Sequence, residues 1–360
     1  MKTKIYDVTA LSPETMRRAQ TLRERDAMEI VKRAMKYVAE AARVIAAGGL
    51  VAFPTETVYG IGANAFDEAA VRRIYAAKGR PSDNPMIVHI ARASDIGQLT
   101  PMISPAIVKL ADSFWPGPLT MVLDRKSSVP SAVTGGLDTV AVRLPDEPAA
   151  LDLIRLSGCP IAAPSANLSG SPSPTTAAHV IDDLEGKVDI ILAGNPCRVG
   201  IESTVVDMTA TPPEILRPGM LTADMLSAAV DAEVVYDKAL LQGGAFSPEC
   251  TASPRSPGMK YRHYAPKADM LVVEGSRDRV EAEIERLKDM NERIGNKVAV
   301  LLFEERSYIE AAHDFYARLR ALDEESPGLI IAGALPDNDG AGFAVMNRMM
   351  KSAGYNVVRV

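Results

Sequence analysis

Short apolar runs, each cut off by Pro, Gly or a charged residue, fill the first two thirds of this chain, and a regular strand–helix alternation fills the last third. Residues 50–53 read as a buried strand stopped by Pro54. Residues 86–90, 119–123, 139–144, 161–163, 188–192 and 204–207 read as further strands, with a turn at Gly135-Gly136. Helical spacing covers residues 12–47, opened by Ser12-Pro13 and closed by Gly48-Gly49. It returns at 67–78, with an acidic start and a basic end, and at 104–114, 147–157 and 222–230. The irregular alternation, with several strand-to-strand turns, predicts a mixed, twisted α/β sheet.

Residues 236–268 break the pattern. They hold Gly243-Gly244, Pro248, Pro254, Pro257, Gly258 and Pro266 with little apolar periodicity, so they read as a linker. The second half, Ser256-Pro257-Gly258-Met259-Lys260-Tyr261-Arg262-His263-Tyr264-Ala265-Pro266, is rich in aromatic and cationic groups, as in a segment that touches something. Beyond it, strands at 270–273, 298–303 and 329–332 alternate with helices at 276–291, 308–323 and 340–353. That predicts a small parallel-sheet, Rossmann-like domain, though without the Gly-x-Gly-x-x-Gly turn of a dinucleotide site. The division expected is a helical N-terminal extension (1–37), a main domain (38–235), the linker (236–268) and a C-terminal domain (269–360).

A length of 360 residues supports two domains. The net charge of -6 gives no global attraction to nucleic acid or anionic membrane, although a local basic cleft is compatible with it. Cys159, Cys197 and Cys250 are odd in number and widely spaced, which argues against a disulfide framework or zinc site and fits a reducing cytoplasm. No signal-peptide pattern or membrane-length apolar run is present.

Two loops carry the chemistry. Lys78-Gly79-Arg80-Pro81-Ser82-Asp83-Asn84-Pro85 sets two cations in a Pro-stiffened loop, and Ser165-Ala166-Asn167 sets a hydroxyl and an amide after a buried strand. Together they suit an anion such as phosphate, carboxylate or bicarbonate. The run from Pro54 to Gly62 leaves a strand through hydroxyls and glycines, as a ligand-approaching turn or an ordinary one does. His89 lies in an apolar strand, as a core residue or a ligand contact. Arg143 lies in Val140-Ala141-Val142-Arg143-Leu144-Pro145, which requires an internal carboxylate or a ligand beside it. Arg217 poses the same question, and Ser203 is a ligand donor or a turn cap. The four histidines have no metal spacing, and no Ser-His-Asp, Gly-x-Ser-x-Gly or P-loop motif occurs. A site of this kind works by positioning reactants and stabilising negative charge, as in nucleotidyl transfer, with Mg²⁺ held by nucleotide phosphates and water rather than by protein side chains.

The motifs resemble, in order, those of the YrdC-like family of threonylcarbamoyl-AMP synthases in its long two-domain form. They are Gly49 to Gly60, Lys78 to His89, Phe114 to Thr120, Ala163 to Gly170, Glu202 to Asp207, Arg217-Pro218-Gly219 and Ser256 to Lys267. The resemblance implies a twisted α/β sheet with a concave basic face, and synthesis of threonylcarbamoyl-AMP and pyrophosphate from L-threonine, bicarbonate or CO₂, and ATP with Mg²⁺. The product would pass to the tRNA threonylcarbamoyl transferase machinery for t6A modification. It implies catalytic roles for Lys78, Arg80, Ser165 and Asn167, and threonine contacts from Thr57, His89, Arg143, Ala163 and Ser203. ATP would meet Arg80, Asn84, Thr139, Ser165, Ser173, Arg217, Tyr261 and Tyr264, with the linker as a lid. The charged N-terminal extension departs from the family pattern, as does Asn195-Pro196 where a glycine-rich turn is expected.

Two rivals stand beside this reading. One is a non-catalytic module binding structured RNA on the basic face, which salt-dependent RNA binding without ATP turnover would mark. The other is a carbamoyl-adenylate enzyme of the hydrogenase-maturation type. Such proteins carry zinc fingers, and the cysteine pairs these need are missing here.

Overall fold

The computed structural model describes residues 1–19, 25–241, 255, 264–304, 308–336 and 340–360. Its larger sheet has eleven strands: β1 (Lys4–Asp7), β2 (Val51–Phe53), β3 (Gly60–Asn64), β4 (Ile87–His89), β5 (Leu119–Asp124), β6 (Thr139–Arg143), β7 (Ile161–Ala163), β8 (Ile190–Ala193), β9 (Thr204–Asp207), β10 (Glu214–Arg217) and β11 (Val235–Tyr236). They lie in the order β1-β8-β2-β3-β7-β4-β6-β5-β9-β10-β11. Antiparallel pairs such as β5–β6 and β4–β7 mix with parallel ones such as β4–β6 and β5–β9, as the irregular alternation predicts.

Most of these strands are buried on both faces, which is why they read as continuous apolar runs. Successive residues still enter opposite cores. Ala52, Ile61, Val88 and Ala162 join one layer, packed beneath the helices Glu68–Lys78, Pro105–Phe114 and Ala223–Val230. Val51, Phe53, Ile161 and Ala163 join the other, packed against Arg25–Ala46 and Pro148–Ser157. Caps start these helices where the sequence places them. The Asp67 side chain accepts from Ala70 N at 3.0 Å, and Ser104 Oγ from Ile107 N at 3.4 Å.

The N-terminal segment differs from the helical extension expected. Lys4–Asp7 forms an edge strand parallel to β8, with Lys4 opposite Ile190. Helix Arg25–Ala46 runs unbroken through residue 38, burying Ala34, Val38, Ala41, Ala42 and Ile45 at helical spacing. A four-residue, half-exposed edge strand has no periodicity of its own and is defined only by its partner. The apolar pattern also leaves out β3, β10 and β11, although β3 and β10 are buried strands inside the sheet.

The smaller sheet is all parallel, in the order β13-β14-β12-β15, where β12 is Asp269–Glu274, β13 Val298–Leu301, β14 Leu329–Gly333 and β15 Val357–Arg359. Helix Arg277–Arg293 covers one face. Helices Tyr308–Glu324 and Ala341–Ser352 cover the other, in a core that also takes in Val58 and Ile201 of the larger unit. The two units therefore share apolar core. No helix among the described residues is long and apolar enough to cross a membrane.

The larger sheet is tightest at Gly62, where an added Cβ would sit 2.5 Å from Ile161 Cγ2 and 2.8 Å from Phe53 Cε1. Gly62→Ala is expected to destabilise by about 1–3 kcal/mol through overpacking. Thermal unfolding of the variant beside the wild type checks this, and an unchanged melting temperature would contradict the packing described.

Candidate active site

One end of the large sheet gathers the functional side chains. His89 and Arg143 are the last residues of β4 and β6, Arg217 is the last of β10, and Ser203 immediately precedes β9. Because His89 pairs with Arg143, and Arg143 with Thr120, these three side chains share one sheet face. Above them, Pro54–Gly60 is pinned by backbone bonds from Val199 N to Glu56 O (2.7 Å), Tyr59 N to Pro174 O (2.9 Å) and Ala166 N to Tyr59 O (2.8 Å). These bonds hold the hydroxyl run against the Ser165–Asn167 loop. The resulting cleft encloses about 710 Å³, part of it open to solvent.

Helix Glu68–Lys78 ends at Gly79, whose φ of 63° is the left-handed conformation that stops a helix and turns the chain. Lys78 is thereby buried in the cleft wall, with Arg80 brought to the same wall. The Lys78 ammonium donates to Ser165 O at 2.5 Å and to Asn167 O, and lies 3.4 Å from Asn167 Oδ1. Ser169 N returns a bond to Lys78 O at 2.9 Å. Burial, and then the neighbouring Arg80 charge, push the Lys78 pKa well below the ordinary lysine value. Arg80 donates to Pro85 O at 2.9 Å, its Nε has no partner among the described residues, and burial brings its pKa down to about 10. Ser165 Oγ donates to Asn167 Oδ1 at 2.5 Å, while Asn167 Nδ2 donates to Leu168 O and Ser171 O at 2.7 and 2.8 Å. This loop is a connected set of donors and carbonyls with the Lys78 cation against it and Arg80 in the same cleft wall.

Arg143 has an internal carboxylate beside it and also faces the cleft. Its Nη2 lies 2.7 Å from Glu56 Oε1, an ion contact in which both side chains are 4% exposed or less. Arg143 Nε also donates to Gly117 O at 3.3 Å. His89 Nδ1 lies 3.2 Å from Ile87 O, and its ring meets Phe53 edge-on at 6.1 Å. Burial, and then Arg143, hold the His89 pKa down at about 3, so the imidazole is neutral at physiological pH.

Of the residues read from the sequence, Thr57, Lys78, Arg80, His89, Arg143, Ala163, Ser165, Asn167, Arg217 and Tyr264 line this one cleft. Ser203 and Ser173 stand behind it. Ser203 Oγ lies 2.8 Å from Thr120 Oγ1 and accepts from Arg217 Nη2 at 3.1 Å, and Ser173 Oγ donates to Glu202 at 2.6 Å. Asn84 is fully buried without lining the cleft, and its side-chain oxygen and nitrogen have no hydrogen-bond partner among the described residues. Thr139 starts β6, roughly 13 Å along the strand from Arg143, and does not line the cleft either. Tyr261 lies outside the described residues. Sequence reasoning missed Glu56 and Glu202. An acid inside the apolar runs Phe53-Pro54-Thr55-Glu56 and Ile201-Glu202-Ser203 was the available signal, since a buried carboxylate calls for a cation.

Residues 43–219 match the Sua5, YciO and YrdC domain model, described as telomere recombination, and residues 221–354 match the model described as the threonylcarbamoyl-AMP synthase C-terminal domain. The threonylcarbamoyl-AMP synthase of Pyrococcus abyssi is 46% identical over 334 residues, spanning 89% of this chain and 95% of the relative. This chain belongs to the two-domain threonylcarbamoyl-AMP synthase family. The Bacillus subtilis member is also 46% identical, over 89% of this chain and 94% of its own. The crystal structure of P. abyssi Sua5 complexed with L-threonine superposes with a TM-score of 0.85, covering 91% of this chain and 96% of that one. Family and fold agree with the resemblance seen in the motifs.

The depressed His89 pKa sets a pH dependence. Its folded value lies below the unfolded value of about 6.5, so the unfolded chain binds the extra proton first. His89 therefore withdraws stability as pH falls from about 6.5 towards 3, by about 1.4 kcal/mol per pH unit. His89→Gln should flatten the acid limb of the stability profile in that window. Denaturant midpoints measured from pH 7 to 4 check it, and identical slopes for variant and wild type would refute the assignment.

Proposed function

We propose that this chain is an L-threonylcarbamoyladenylate synthase, joining L-threonine, bicarbonate or CO₂, and ATP into threonylcarbamoyl-AMP and pyrophosphate. The observation that carries the reading is the cation excess at one cleft. Lys78, Arg80, Arg143 and Arg217 all line it, while the acids beside them, Glu56 and Glu202, are already engaged with Arg143 and Arg348. Such a site favours a ligand bearing several negative charges, because an anion restores the stabilisation these buried cations lost with water. The burial also weighs against the RNA-binding rival. Lys78 and Arg143 are each 3% exposed, out of reach of a duplex backbone.

In this reading the threonine carboxylate is held from the Arg143 side and the nucleotide phosphates from the Arg80 and Arg217 side. Neutral His89 and the hydroxyl of Thr57 border the amino acid. The deprotonated threonine amine adds to CO₂ to form a carbamate. A carbamate oxygen then attacks the α-phosphorus of ATP, and the bond from that phosphorus to the bridging oxygen breaks to release pyrophosphate. When bicarbonate is the carbon source, water is the further product. Arg80 faces the charge that develops, and its Nε is a donor with no partner among the described residues. Lys78 works chiefly on the Ser165–Asn167 loop, fixing its carbonyls and its hydroxyl–amide pair. Among the described residues no group of three acids, histidines or cysteines could cage a metal. Mg²⁺ would arrive on the nucleotide phosphates and supply charge neutralisation to the leaving pyrophosphate. The product would serve the tRNA t6A-forming transferase in the cytoplasm.

Pyrophosphate release from ATP and Mg²⁺ should require both bicarbonate and L-threonine. Arg80→Ala should lower turnover by roughly 10²- to 10³-fold, the scale of losing one preorganised charge stabiliser. Release that ignores threonine would sink the synthase reading, and full activity in the variant would sink the role of Arg80.

A further inference from the structure

Glu202 borders the cleft, yet both of its carboxylate oxygens are taken. Oε1 accepts from Ser173 Oγ at 2.6 Å, Oε2 from Arg348 Nε at 3.1 Å, and Tyr316 OH lies 3.0 Å from each. Tyr316 and Arg348 come from the two C-terminal-domain helices that face the larger unit, and both are 0% exposed. Arg348 does more than pair with the acid. It donates to Pro218 O, and through Nη2 to Glu202 O at 3.4 Å. One guanidinium thus joins two loops. The residue before Pro218 is Arg217, and the residue after Glu202 is Ser203. These two are joined to each other by Arg217 Nε to Ser203 O and Arg217 Nη2 to Ser203 Oγ, both at 3.1 Å.

We propose that Arg348, seconded by Tyr316, is a positioning residue of the active site: the C-terminal domain reaches into the catalytic domain and fixes Glu202 and Pro218, so that Arg217 stands in place for the nucleotide phosphates. A shared apolar core already docks the domains through Val58 and Ile201. Exchanging a buried ion pair for apolar groups is often neutral or stabilising, so docking alone does not call for one. What a planar five-donor fork supplies, and an apolar contact does not, is a fixed distance between two loops. Burial works against the Arg348 charge, but Glu202, Tyr264 and Tyr316 together outweigh it and hold the pKa above the ordinary value, and Glu202 stays ionised through Arg348, Arg217 and Ser173 despite its own burial.

The inference rests on the synthase reading, and the test separates the two. Steady-state pyrophosphate release, ATP affinity by calorimetry and thermal melting are compared for the wild type, Glu202→Gln/Arg348→Met and Tyr316→Phe. The double variant removes both buried charges, so it should melt near the wild type while kcat/KM for ATP falls about 10²-fold, the scale of a misplaced binding group. Its Kd for ATP should weaken roughly tenfold, with KM for threonine moving less. Tyr316→Phe, lacking one hydroxyl, should show the same pattern at a few-fold size. A folded double variant with unchanged kcat/KM and ATP affinity would overturn the inference, as would ATP and threonine parameters that fall only in step with the folded fraction. If the double variant does not fold, Tyr316→Phe decides by the same comparison. Wild-type protein without threonine-dependent release would overturn the synthase reading instead, and ATP affinity would still judge the role of Arg348.

Discussion

The structure must hold several cations side by side out of water. Lys78, Arg80, Arg143 and Arg217 border a single cleft, where burying a charge is costly, Arg80 disfavours the charge on Lys78 and Arg217 that on Arg80. Two devices offset that cost. Backbone carbonyls take up Lys78 and Arg80, and the carboxylates of Glu56 and Glu202 balance Arg143, Arg217 and Arg348. The remainder is an unbalanced positive site that a polyphosphate and a carboxylate would complete.

This constraint explains why the site is built largely from main chain. The Ser165–Asn167 loop offers its carbonyls to Lys78 and its side chains to itself, so it cannot shift without stranding a buried ammonium. Gly79 and Gly135 set the path of the loop between. Gly79 ends the helix in the left-handed region, and Gly135, also left-handed, passes so close to Asp83 that an added Cβ would meet its carbonyl at 2.6 Å. Loops carry the chemistry, and strand ends with buried ion contacts hold the loops.

The C-terminal domain belongs to this system. Arg320 adds a second tie, donating to Asp183 at 2.6 Å and to Pro172 O at 2.6 Å, and Asp183 in turn accepts from Leu168 N at 3.3 Å. The domain thus reaches the Ser165–Asn167 side of the cleft through Asp183 and the Arg217 side through Glu202. Arg320 and Arg348 of this parallel-sheet domain make their polar contacts across the domain boundary.

Local pattern determined a great deal by itself. The strands that carry His89 and Arg143, the helix ending at Lys78 and the cation loop after it were legible because apolar runs, helical spacing and glycines act over a few residues. A charge inside an apolar run also announces that something must meet it. What meets it was not legible. That Arg143 contacts Glu56, that Ser203 stands behind Arg217 and that Arg348 reaches Glu202 across 146 residues are matters of which segments lie side by side. The edge strand Lys4–Asp7 was hidden for the same reason, since four half-exposed residues become a strand only against β8. The sequence determined which residues needed partners, through desolvation that every buried charge carries with it. Tertiary structure alone decided the partners, because packing brings together groups whose separation along the chain holds no signal.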